Sequence, residues 1–64
     1  MADLELAKKI EDWLNMIVFL RLKMELVNKT TKNDQAAENL AKIIADLESV
    51  EYDLINLYRD VMGG

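Results

Sequence analysis

The chain contains no cysteine, no histidine and no proline, and its only glycines are Gly63 and Gly64. Without cysteine there is no disulfide, no thiolate metal site and no cysteine nucleophile. Without histidine the commonest zinc ligand and the commonest general base are missing. Without proline or internal glycine nothing interrupts a helix, and the turn residues that a strand-rich fold needs are absent. Ser49 is the only serine and has no histidine to activate it. There is no glycine-rich phosphate loop and no Glu-x-x-His pair of the kind that holds two irons. Glu48, Glu51 and Asp53 are read as a solvated helix face rather than a cation site. The expectation is therefore a non-enzymatic protein with no metal and no cofactor.

Positive charge is also short. Twelve acidic residues face eight basic ones, a net charge of −4. That argues against nucleic acid as a partner, because binding a polyanion rests on an excess of Lys and Arg. Long apolar runs are missing too. Asn15 and Arg21 bracket five apolar residues, against the roughly 20 needed to span a bilayer. Lys8 and Lys9 precede this run, but Asp3, Glu5, Glu11 and Asp12 surround them and no small-residue cleavage site follows, so no secretory signal is read. One soluble, cytoplasmic domain covering residues 1–64 is expected. A domain of this size buries only about 60% of its unfolded surface and usually needs a staple. By elimination the staple is oligomerisation or docking on a partner.

What the chain does have is large apolar residues at helical spacing; 52% of it is hydrophobic. Asp3 can cap a first helix, and Glu5 suits the positive end of its dipole. A three-four spacing then runs through Leu6, Ile10, Trp13, Ile17, Leu20, Met24 and Val27. In heptad letters these are alternate d and a positions. The polar stretch Asn28–Asp34 breaks the pattern. Lys29 suits a helix C-terminus, and Thr31, Asn33 or Asp34 can cap a new start. The missing glycine leaves one uninterrupted helix as the rival to a turn. The spacing resumes through Ala36, Leu40, Ile43, Leu47, Val50, Leu54, Leu57 and Val61. The chain is therefore read as all-α, an antiparallel hairpin with helices at about 3–28 and 34–62.

Folding one helix onto the other pairs Val27 with Ala36, Leu20 with Ile43, Trp13 with Val50 and Leu6 with Leu57, in register from turn to termini. The g positions bring Lys9 opposite Asp53 and Lys23 opposite Asn39, with Asp46 and Asp60 as further acids. The e edge carries Ala7, Leu14, Arg21 and Asn28 on the first helix and Ala37, Ile44, Glu51 and Tyr58 on the second. It is mostly small or apolar and widens the seam beyond what two helices cover. A second copy closing on this edge would complete a four-helix bundle, with Arg21 and Glu51 pairing across the dimer. The expected core and dimer residues are Leu6, Ile10, Trp13, Leu14, Ile17, Leu20, Met24, Val27, Leu40, Ile43, Ile44, Leu47, Val50, Leu54, Leu57 and Tyr58.

A second apolar stripe remains. With Ile17 at zero on a wheel turning about 100° per residue, Val18 falls near 100°, Leu22 near 140°, Leu26 near 180° and Phe19 near 200°. The second helix has a smaller counterpart in Tyr52, Ile55 and Met62. A helix apolar on two sides is expected where both sides are buried. Val18, Phe19, Leu22 and Leu26 are thus candidate partner-binding residues. The occupants considered are a larger homo-oligomer, another protein's helix and a membrane surface.

Two resemblances bear on function. Two helices of about 25 residues with a short turn and a/d layers resemble Rop, the plasmid copy-number regulator, a dimeric four-helix bundle that binds paired RNA hairpins. The resemblance spans the whole chain as a pattern and implies RNA contact from the first helix, where Lys8 and Asn15 stand. Ser49-Val50-Glu51-Tyr52-Asp53, followed by Leu54-Ile55-Asn56, is similar to the S-x-E-x-D stretch of the small helical-hairpin phosphatases that dephosphorylate a sporulation response regulator. It implies that Asp53 is the acid needed for activity on an aspartyl-phosphate protein, whereas the heptads make Asp53 the partner of Lys9. Both stand as alternatives to the main expectation, a non-enzymatic interaction or regulatory module that homo-oligomerises and docks a protein on the Val18-Phe19-Leu22-Leu26 stripe.

Overall fold

The computed structural model describes residues 2–63, which form two α-helices, α1 (Leu4–Thr30) and α2 (Asp34–Gly63). They pack antiparallel as a hairpin about 50 × 14 × 10 Å. Asp3 caps α1, its carboxylate accepting the Leu6 amide at 3.0 Å. The end of α1 needs no glycine. The hydroxyls of Thr30 and Thr31 donate to the Val27 carbonyl at 3.1 and 2.8 Å, satisfying an acceptor left over at the helix end. Thr31 itself turns extended, which stops the helix. Asn33 then caps α2, its side-chain oxygen accepting the Ala36 amide at 3.1 Å. Hence the break falls at Thr31–Asn33 and the uninterrupted rod does not form. No helix among the described residues is long and apolar enough to cross a membrane.

The contact line between the helices differs from an a/d seam. Ile10, Ala7 and Ile44 are buried, and only Ile10 has no exposed surface. Leu6, Leu14, Ile17, Met24, Leu40, Leu47, Leu54 and Tyr58 are half-buried. Trp13, Leu20, Val27, Ile43, Val50 and Leu57 are exposed, by 40 to 57%. Apart from Leu6 and Ala36, both half-buried, these are the d positions. The seam therefore runs along a and e. Relative to an a/d seam each helix is rolled by about 50°, half a residue step on the wheel. The residues explain the roll. The e row offers two small residues, Ala7 and Ala37, among its larger ones, whereas the d row, apart from Ala36, offers only large residues such as Trp13, Leu20 and Leu57. The e row ends in Asn28, whose Oδ1 is enclosed without a hydrogen-bond partner.

Consequently the e edge, read above as the open side, is taken up inside the hairpin, and the open apolar side is the d row. Ile10→Ala is expected to lower unfolding free energy by about 2–5 kcal/mol, the range for truncating a buried isoleucine. Leu4→Ala, at an exposed first turn, should change it by no more than about 0.5 kcal/mol. Urea melts of the two variants against the parent provide the check.

Candidate functional site

Reversing one helix of a pair and turning it to face the other places equivalent heptad letters on the same side of the seam. The hairpin thus has an e/b side and a d/g side, and each carries its own chemistry.

On the e/b side, Arg21 is central. Its guanidinium makes a two-pronged contact with Glu51, Nε to one carboxylate oxygen and Nη2 to the other at 3.2 Å, and Nη1 donates to Glu25 at 2.9 Å. The Arg21 and Glu51 side chains are only 19% and 13% exposed. The pair forms within one chain, where a pairing across a dimer was expected. By heptad register Arg21 stands level with Ile44, and Glu51 lies one heptad farther along α2. Helical side chains lean toward their own N-terminus, so in an antiparallel pair the two lean toward each other and close that gap. The Glu51 hydrogen bond raises the Arg21 pKa above its ordinary value, partial burial opposes this, and Glu25 adds to the rise. Arg21 is therefore a fixed cation. A shallow depression of about 220 Å³ lies beside the pair, lined by Arg21, Glu48, Glu51, Tyr52 and Ile55. Farther along the same side, the Tyr58 hydroxyl donates to Glu11 at 2.9 Å.

The d/g side is a continuous apolar face from both helices: Trp13, Leu20 and Val27 of α1 with Ile43, Val50 and Leu57 of α2. Its rims are the g rows, with Lys9 and Lys23 on α1 and Asp46, Asp53 and Asp60 on α2. The Lys9–Asp53 contact read from the heptads is not made within the hairpin. The ion pairs among the described residues are those of Arg21 with Glu25 and Glu51. Folded monomers of this mass expose about 4,200 Å², whereas this chain exposes 5014 Å². The surplus is about 800 Å².

The outer stripe of α1 is apart from both. Phe19 and Leu26 are 61% and 64% exposed, Leu22 is exposed and Val18 is half-buried against the seam. Lys23 Nζ lies 4.4 Å from the centroid of the Phe19 ring. Apolar residues occur nearly all round α1, whereas those of α2 are gathered on one side. Residues that resemblance singled out are dispersed: Ser49 and Asp53 are exposed, and Glu51 between them is tied to Arg21. Ala7 and the Tyr58–Glu11 hydrogen bond are what the a/d pattern misses, and for Arg21 and Glu51 it misses only that they pair within one hairpin. The lean of helical side chains is the signal that would have found Arg21–Glu51. No family model, no curated protein and no solved structure matches this chain.

The Tyr58–Glu11 contact predicts a pH effect. Donation to the Glu11 carboxylate raises the Tyr58 pKa above its ordinary value. A raised pKa means the contact stabilises the hairpin fully below about pH 10, the unfolded value. It is lost as pH climbs through the raised value and the phenolate meets a carboxylate. The melting temperature should therefore fall more steeply above pH 10 in the parent than in Tyr58→Phe, and thermal melts by circular dichroism across that range test this.

Proposed function

We propose that this chain is a small non-enzymatic interaction module that works as a homodimer. The d/g face of one hairpin closes on that of a second, making a four-helix bundle, and the outer stripe of α1 holds a further protein. The observation that carries the reading is the exposed d row, a bundle-type stripe of large side chains that the hairpin itself does not bury on either helix. Its scale supports the same reading. The surplus of exposed surface is close to the roughly 800 Å² each partner gives up in a standard interface. With Ile10 as the single fully enclosed large side chain among the described residues, the hairpin has little core of its own, and a second copy supplies one. Phe19, Leu22 and Leu26 are spaced as the anchors of a helix-to-helix contact, which supports a helical segment of another protein as the occupant of the stripe.

Sedimentation velocity is expected to give twice the chain mass of 7.4 kDa. Leu20→Asp sets a charge in the middle of the closed face, where an unpaired buried charge costs several kcal/mol. It should give a single-chain mass with a lowered melting temperature. An unchanged dimer would remove the d row from the interface. Phe19→Ser with Leu22→Ser should keep both the dimer mass and the helical content while losing the further protein. If that variant dissociates or unfolds, the stripe belongs to the assembly's own core.

A further inference from the structure

Resting on the dimer just proposed, we infer how its two copies are arranged. The hairpins stack so that α1 of each copy lies over α2 of the other, with both turns at the same end of the bundle. The observation behind this is the charge on the rims of the d/g face. The g row of α1 carries Lys9, Met16 and Lys23, and the g row of α2 carries Asn39, Asp46, Asp53 and Asp60. None of these five charges has an ion partner among the described residues. Lys23 lies over the Phe19 ring, its Nζ 4.4 Å from the centroid.

Two symmetric arrangements close the face. A two-fold axis along the bundle stacks α1 on the other copy's α2. A two-fold axis across the bundle stacks α1 on α1 and α2 on α2. The second sets three aspartates against three aspartates on one rim and two lysines against two on the other. The first sets each lysine row along an aspartate row. At the same level in the bundle, Lys9 faces the other copy's Asp53, and Met16 faces the other copy's Asp46. The lean of helical side chains toward their own N-termini carries Lys23 past its level partner Asn39 to the other copy's Asp46 and Lys9 toward Asp60, by the same displacement that joins Arg21 to Glu51. Exposed ion pairs add little stability singly. The choice between arrangements is made by the repulsion in the rejected one, which is how like charges exclude a competing pairing.

The test uses the full chain, whose lack of native cysteine makes introduced thiols unambiguous. Met16→Cys and Asp46→Cys are prepared separately, oxidised alone and after mixing and exchange, and run without reductant. The arrangement requires a disulfide-linked pair in the mixture and its loss in either variant alone. A second pair, Lys9→Cys with Asp53→Cys, must give the same result, so that a poorly folding variant does not decide the outcome. Linked pairs in Met16→Cys alone, or no link from either mixture while sedimentation still gives a dimer, overturn the arrangement and leave the dimer standing. A single-chain mass for the parent protein overturns the dimer and the arrangement together.

Discussion

Two antiparallel helices touch along one line, and most side chains on that line keep a flank in water. Only where small residues let the backbones close up, as at Ala7, does a large neighbour such as Ile10 become fully enclosed. Everything else about this hairpin follows from that geometric limit. Half-burial is the rule along the seam, and the largest apolar residues are left over on two further surfaces. A chain of this size can win little from a core built on one contact line. Most of its hydrophobic content is stabilising only if something else covers it.

The polar contacts fit the same limit. Arg21 and Glu51 occupy the seam at a level where larger cores would hold hydrophobes. A half-buried pair contributes little net stability when its desolvation is counted against its attraction. Its two-pronged geometry, with Glu25 bracing the guanidinium, fixes register instead: a slip of either helix breaks the fork. The Tyr58–Glu11 hydrogen bond does the same nearer the open end of the hairpin. The caps at Asp3 and Asn33 and the threonine hydroxyls on Val27 fix where the helices start and stop. Apolar packing holds the helices together loosely, and directed polar contacts decide where along each other they sit.

Much of the architecture was legible in the residues. Asp3 as a cap and a break within residues 28–34 follow from local chemistry, whereas the run of α1 on to Thr30, two residues past the expected end, and the choice of Asn33 over Thr31 and Asp34 as the second cap came from the structure. The a positions Ile10, Ile17 and Leu40 lie at the seam as their spacing requires. Of the candidate stripe Val18, Phe19, Leu22 and Leu26, the last three are exposed and Val18 is half-buried. The side of the a row that faces the second helix was not legible. Three-four spacing marks d and a, while d and e flank the a row on either side, and both flanks here are apolar or small.

The sequence by itself determined helical structure, its approximate limits and the excess of apolar surface, because those depend on spacing along one chain and on caps a few residues away. Only the tertiary structure decided the roll of each helix about its axis and the Arg21–Glu51 partnership within the hairpin. The reason is that roll is a contest between faces of similar hydrophobicity. It is settled by which side chains let two backbones approach, and that is a property of the pair rather than of either helix.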